Sequence, residues 1–140
     1  MGFRPDTIVI HCSATKDSGT VSWGAIRRFH VVERSWADIG YHFGVEKIGE
    51  DAEILLGRMP DRMGAHAAGH NSYTLGVCVV GDFDKELPPE NIWSKAVQLC
   101  KWLCHNFSIQ DIYGHRELTD MKTCPGLMFD LGKFRREVRG

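Results

Sequence analysis

The sequence predicts an α/β fold, a single domain in which a central mixed β-sheet is flanked by helices. Short apolar runs rich in β-branched residues, at 6–12 and 74–83, are typical of buried strands. A segment over 90–106 has apolar residues at helical spacing. Strands and helices alternate along the chain, as in layered α/β proteins. A chain of 140 residues can bury one core. We therefore expect residues 1–140 to form one domain.

The first half of the chain predicts a strand, a helix and a hairpin. After the strand at 6–12, apolar residues at helical spacing predict a helix over roughly 23–34, with Ser22 as its candidate N-cap. Segment 40–58 predicts a β-hairpin with its turn near 49–51. Segment 63–73 is rich in glycine and alanine without a clear period, which predicts a loop.

The second half predicts two strands and two helices. The run 74–83 predicts a strand covered on both faces. Two prolines then precede the helix predicted over 90–106. A short strand, "QDIYG", follows, and a last helix is predicted from about Asp130.

Composition excludes several classes of protein. A net charge of −1 gives no general attraction to nucleic acid or to anionic lipid. The N-terminal apolar run is too short for a signal peptide or a membrane span, so we expect synthesis in the cytoplasm without a signal of its own. The five cysteines are odd in number and irregularly spaced, which favours reduced thiols over a disulfide framework.

The segment "GHRELTDMKTCPG", residues 114–126, carries a histidine and a cysteine in one polar stretch. A catalytic zinc takes three protein ligands and leaves one position open. His115 and Cys124 would supply two, and His11, at the end of the first buried strand, would supply the third at the same edge of the sheet. This pattern predicts a zinc cleft there. Two alternatives stay open: Cys124 as a nucleophile with His115 as its base, and an ordinary loop.

Four motifs in order resemble the type 2 N-acetylmuramoyl-L-alanine amidases, the zinc amidases that include T7-type phage lysozyme and the peptidoglycan recognition proteins. The motifs are "IVIHCSAT", "GYHFGVEK", "GAHAAGHNSYTLGVCVVG" and "GHRELTDMKTCPG". The resemblance implies one Zn²⁺ per chain, bound by His11, His115 and Cys124. It also implies an endolysin that hydrolyses the amide bond between N-acetylmuramic acid and L-alanine in bacterial peptidoglycan. Such an enzyme would be made in the host cytoplasm and released to the wall by a holin.

The resemblance also implies roles for residues that bind no metal. Tyr41 and Lys122 match the catalytic pair of the T7-like branch, where an ammonium and a phenol can stabilise an oxyanion and protonate the leaving amine. The remaining matches, candidates for contact with the muropeptide, are His66, His70 and Asn71. The hairpin lacks the family's usual "RDG" turn, and no acidic residue stands out as a general base, although Glu46 and Glu117 are near the motifs in sequence.

Other interpretations concern binding and the remaining cysteines and histidines. Some relatives lack the ligand cysteine and only recognise peptidoglycan; the presence of all three ligands argues against that class. T7-type lysozyme also binds its phage RNA polymerase, which makes a polymerase a second candidate partner. We expect a monomer that binds neither nucleic acid nor membrane. The remaining side chains are expected to be structural, either buried thiols or histidines with local partners: Cys12, Cys78, Cys100, Cys104, His30 and His42.

Overall fold

The computed structural model describes residues 2–13, 23–36 and 38–140. Their strands and longer helices are, in chain order, β1 (Thr7–Cys12), α1 (Trp23–Arg28), β2 (Phe43–Ile48), β3 (Asp51–Leu56), β4 (Thr74–Val79), α2 (Glu90–Asn106), β5 (Asp111–Gly114) and α3 (Leu131–Arg139). A π-helical turn, Phe29–Glu33, continues α1, and two short 3-10 turns cover Asn71–Tyr73 and His115–Glu117. The predicted helices, strands and hairpin are confirmed. Ser22, the predicted cap of α1, lies outside the described residues.

The strands form one five-stranded mixed sheet in the order β3-β2-β4-β1-β5. Strand β1 is parallel to both of its neighbours, β4 and β5, and β2 is parallel to β4. Strand β3 is antiparallel to β2, with Ile48 opposite Asp51 across a turn in which Gly49 has a φ of +64°. Glycine adopts this left-handed conformation without a Cβ clash. The mixed sheet that the sequence predicts is confirmed.

One face of the sheet is covered by α2 and α3. Every residue of β1 and β4 is buried, which explains their continuous apolar runs. The buried side of α2 joins alternate residues of β1 and β4 in the main core. Three aromatic rings fill the space between α2 and α3, with centroids 5.0 to 5.3 Å apart: Trp93, Phe129 and Phe134. At the start of α3, the Asp130 carboxylate accepts a hydrogen bond from the Lys133 backbone N–H.

The opposite face of the sheet carries α1 and the loops that border the site. Trp23 of α1 packs with Ile39 and Cys78 in a second apolar cluster. A Cβ at Gly44 would lie 2.4 Å from the Trp23 ring, so the glycine makes room for the indole. The Glu46 carboxylate accepts a hydrogen bond from the backbone N–H of Trp23 and so anchors the start of α1 to β2. Among the described residues, no helix is both long and apolar enough to span a membrane.

Candidate active site

Two histidines lie side by side at the ends of the parallel strands β1 and β5. Ile10 of β1 is paired with Gly114 of β5, so the next residues, His11 and His115, follow at the same edge. Their ring centroids are 4.5 Å apart. His11 is buried, with 2% of its surface exposed, whereas His115 is half-buried and begins a 3-10 turn. Both side chains therefore lie together at one edge of the sheet, as the sequence predicted.

The loop after β5 returns a cysteine to the same edge. The backbone N–H of Arg116 donates to the carbonyl oxygen of Cys124 at 2.7 Å, and the Arg116 guanidinium donates to the carbonyls of Gly126 and Phe129. The Cys124 sulfur accepts a hydrogen bond from the backbone N–H of Cys12 at 3.0 Å. The loop is thus fixed to the end of β1, directly beside His11.

His11, His115 and Cys124 form a candidate metal centre. One ligand atom from each residue lies within 4.8 Å of the others, and within the described ranges no other group of three such side chains converges in this way. Cys124 and His115 are half-buried, so the cluster is closed on the protein side and open to the cleft. Two imidazole nitrogens and one sulfur suit a zinc-like divalent ion.

Protonation states in this cluster favour metal binding. Burial, with smaller contributions from His66 and His115, holds the pKa of His11 well below its usual value. Burial and then the Lys122 ammonium lower the pKa of His115, so both imidazoles are neutral and have a lone pair to donate. Hydrogen bonds from Cys12 lower the pKa of Cys124 against the opposing effect of burial, and Lys122 adds to this. A lowered pKa favours the thiolate, which is the metal-binding form.

The predicted catalytic pair lies around the same cleft. A cavity of about 330 Å³ is lined by the three cluster residues together with Tyr41 and Lys122. The Tyr41 ring lies 5.0 Å from the His11 ring, and burial raises the pKa of Tyr41 well above its usual value, so its hydroxyl stays protonated. Lys122 is exposed. Aromatic and basic side chains also line the cavity: Phe29, His30, Arg34 and Trp36.

The loop predicted to contact substrate borders a second groove that shares His66, His115 and Lys122 with the cleft. This groove has a volume of about 370 Å³ and is also lined by His70 and Asn71. The Asn71 side-chain oxygen accepts hydrogen bonds from the backbone N–H groups of His66 (3.0 Å) and Ala67 (2.9 Å), which fixes the turn of the loop. The Nδ1 atom of His70 bonds to the Tyr73 hydroxyl. Their role as substrate contacts stays a prediction.

Sequence reasoning missed the contact between His66 and His11. The Nδ1 atom of His66 lies 2.9 Å from Nε2 of His11, and its Nε2 lies 3.2 Å from the Thr74 hydroxyl. Burial lowers the pKa of His66 to about 3, so this imidazole is neutral near pH 7. The ring lies against Gly76, where a Cβ would approach its Cγ to 2.5 Å. No spacing in the sequence signals a contact between residues 55 positions apart.

Cys12 was also missed as a neighbour of the site. It is buried, as the sequence predicted, and its sulfur lies 3.5 Å from that of Cys124. Because strand residues alternate between faces, the pattern of β1 assigns Cys12 to the face opposite His11 and gives no sign of this contact. The loop that carries Cys124 reaches the end of β1 from the side, and so it meets both residues.

The two carboxylates considered as general bases have structural partners. Glu46 bonds to the backbone of Trp23. Glu117 accepts from the Gly114 backbone N–H at 2.8 Å and pairs with Arg135 at 2.7 Å. Within the part of the chain that the structure describes, no carboxylate lines the cleft.

The remaining cysteines and histidines have the structural surroundings expected of them. Cys78 and Cys100 are buried, and Cys104 is half-buried against the core. The Nε2 atom of His42 bonds to the Arg62 carbonyl at 2.7 Å, and its Nδ1 accepts from the Gly76 backbone N–H. His30 accepts from the Gly40 backbone N–H and also lines the cleft.

Comparison with known proteins places this chain in a family. The family model described as N-acetylmuramoyl-L-alanine amidase matches residues 1–127. The endolysin of Klebsiella phage KP32 is 35% identical over 132 residues, covering 91% of this chain and 83% of that protein. The endolysin of Escherichia phage T7 is 35% identical over 135 residues, covering 92% of this chain and 84% of the T7 protein.

A solved structure agrees with this assignment. The N-acetylmuramoyl-L-alanine amidase endolysin LysCS from Clostridium intestinale superposes with a TM-score of 0.87 at 27% identity, covering 98% of this chain and 85% of that one. The chain belongs to the N-acetylmuramoyl-L-alanine amidase family and is a peptidoglycan amidase.

Proposed function

We propose that His11, His115 and Cys124 bind one Zn²⁺ per chain and that this site hydrolyses the amide bond between N-acetylmuramic acid and L-alanine. The observation that carries the proposal is the convergence of three ligand atoms within 4.8 Å at an edge open to a cleft. Their chemistry fits: two neutral imidazoles and a cysteine whose pKa is lowered. Zinc held by these three residues would supply a Lewis acid that activates water and polarises a substrate carbonyl.

Lys122 and Tyr41 are proposed to act on the charges that the reaction develops. Attack on an amide builds negative charge on the carbonyl oxygen, and the departing nitrogen of L-alanine needs a proton. An ammonium and a phenol that both line the cleft can donate to these atoms. Tyr41 is suited to donating a hydrogen bond to the developing oxyanion, because burial raises its pKa and keeps the hydroxyl protonated.

The neighbouring groove is proposed to hold the part of the muropeptide beyond the scissile bond. The groove shares His66, His115 and Lys122 with the cleft, so a chain-like substrate can run from one into the other. Residues His70 and Asn71 also line this groove. Their bonds to Tyr73 and to the loop backbone keep the groove wall in shape while their remaining polar atoms can meet substrate.

The biological setting is proposed from the family. Residues 1–140 would be one amidase domain, acting as a monomeric endolysin that reaches the wall after holin-type release from the cytoplasm. The phage endolysins it resembles support this setting. Binding to a phage RNA polymerase stays a prediction, and a pull-down with purified polymerase tests it separately from a lysis assay.

The central test combines metal analysis with mass spectrometry of digested peptidoglycan. We expect about one zinc per chain and products with a free L-alanine amino group. Cys124→Ser should lose zinc and activity, since a neutral hydroxyl is a much poorer ligand than a thiolate. Cys104→Ser, at a half-buried thiol on α2, is the matched control and should keep both. Cleavage of a glycosidic bond, or full activity without metal, would overturn the proposal.

A further inference from the structure

A chain of hydrogen bonds runs from the candidate metal ligand His11 into the protein. His11 Nε2 lies 2.9 Å from His66 Nδ1, and His66 Nε2 lies 3.2 Å from the Thr74 hydroxyl oxygen. The Thr74 hydroxyl in turn donates to the backbone carbonyl of His70 at 2.8 Å. Each bond joins groups with few choices of donor and acceptor, so the direction of the whole chain can be derived.

The direction is set at Thr74. A hydroxyl has one proton, and that of Thr74 is directed to the His70 carbonyl, so the same oxygen can only accept from His66. His66 Nε2 therefore carries the ring proton of this neutral imidazole. His66 Nδ1 is then a lone-pair acceptor, and the facing Nε2 of His11 has to be the donor.

We propose that His66 is a positioning residue that holds His11 in its Nε2–H tautomer and so presents His11 Nδ1 as the metal-binding atom. The inference rests on the proposed metal site for its purpose, although the tautomer itself is a property of the metal-free protein. A metal-binding histidine commonly donates its other ring N–H to a fixed acceptor, which orients the ring and raises its basicity. Here the acceptor is a second imidazole.

His66 is held rigidly enough for this role. The absence of a side chain at Gly76 lets the ring lie on β4, since a Cβ there would come within 2.5 Å of His66 Cγ. Asn71 fixes the backbone of His66 through its side-chain oxygen. The His42 ring lies edge-on at 5.7 Å, and His42 is itself bonded at both nitrogens.

The opposite tautomers of His11 and His66 would lose a hydrogen bond. If His11 carried its proton on Nδ1, then His66 would have to donate from Nδ1 and present a lone pair to Thr74. The Thr74 hydroxyl would then turn its proton to His66 and give up the 2.8 Å bond to the His70 carbonyl. Leaving the His70 carbonyl without its partner in a buried network is unfavourable. The observed chain therefore favours the Nε2–H form of His11.

The tautomer can be read by long-range ¹H–¹⁵N NMR of metal-free protein with ¹⁵N-labelled histidine. We expect Nε2 of both His11 and His66 to be protonated. His66→Asn keeps an acceptor oxygen close to the position of Nδ1 and should retain the His11 pattern, whereas His66→Leu removes the acceptor and should give a mixture of tautomers. Thr74→Val should disturb the His66 pattern, and Thr74→Ser, which keeps the hydroxyl, should restore it.

Zinc affinity, measured by competition with a chelator, gives the second readout. His66→Leu should bind zinc about 10–100-fold more weakly, as expected for loss of a partner to a metal-binding histidine. His66→Asn should stay close to wild type. A His11 protonated on Nδ1 in the wild-type protein, or His66→Leu with wild-type affinity, would overturn the inference. The expected tautomer in a wild-type protein that binds no zinc would instead contradict the proposed metal site.

Discussion

The sulfur of Cys124 lies 3.0 Å from the backbone nitrogen of Cys12, the residue that follows His11. The end of β1 thus contributes the side chain of His11 as one candidate ligand, and its backbone N–H at Cys12 stabilises another, Cys124. A hydrogen bond to a sulfur favours the thiolate, and here the side chain of Cys12 does most to lower the pKa of Cys124, with a smaller contribution from the Cys12 backbone N–H. The candidate ligands His11 and Cys124 are therefore coupled through one strand end.

The first prediction concerns thiol reactivity. In metal-free folded protein, iodoacetamide should modify Cys124 before Cys78 or Cys100, because its pKa is lowered whereas burial raises the pKa of both other thiols. Zinc should protect Cys124. Peptide mass spectrometry after short labelling times gives the order. Equal labelling of Cys78 or Cys100 in the folded protein would contradict the assignment.

Lys122 is predicted to act on the reaction and not on metal binding. Lys122→Ala should lower kcat by about 10²-fold, as for loss of one oxyanion donor, while zinc content stays unchanged. Steady-state kinetics on a soluble muropeptide together with metal analysis provides the check. Lys101→Ala, at an exposed lysine of α2, is the control and should have wild-type kcat. Loss of zinc in Lys122→Ala would show a different role.

Tyr41→Phe tests the hydroxyl without removing the ring. The ring packs near His11 and Trp23, with centroids at 5.0 and 6.2 Å, so the variant keeps its packing and should stay folded, with a small loss of melting temperature from the missing bond to Cys78. Its kcat should fall by about 10²-fold if the phenol donates in the transition state. Tyr113→Phe, at an exposed tyrosine of β5, is the matched control. Undiminished kcat in Tyr41→Phe would remove the hydroxyl from the mechanism.

Gly76→Ala is predicted to displace the His66 ring that lies against this glycine. The new Cβ would meet the His66 ring at 2.5 Å, so the ring has to move away from its place beside His11. Overpacking of this kind costs about 1–3 kcal/mol of unfolding free energy. We expect a lower melting temperature and weaker zinc binding. Gly132→Ala is the control, because its Cβ first meets flexible side-chain atoms at 3.4 Å. Unchanged zinc affinity in Gly76→Ala would contradict the role given to the His66 ring.

The sequence predicts most of the fold because its signals are local. The apolar runs of β1 and β4 and the helical spacing of α2 need no knowledge of the rest of the chain. The position of His11 beside His115 also follows, since parallel strands end at one edge of a sheet.

Contacts made by loops could not be predicted in this way. His66 meets His11 only because the loop before β4 folds back over Gly76, and Cys12 meets Cys124 only because the last loop crosses the end of β1. Such paths depend on side-chain packing between distant segments, which has no periodic signature. The same holds for Glu46, whose bond to Trp23 explains a buried carboxylate that sequence reasoning could not place.

The most direct test of the central claim is a zinc titration of chelator-treated protein, followed by the rate at which L-alanine amino groups appear from peptidoglycan. A single site formed by His11, His115 and Cys124 predicts no activity without metal and a rate that rises with added zinc until one equivalent per chain is bound. Amide cleavage at full rate in protein free of metal, or a rate that saturates only at two equivalents, would contradict it.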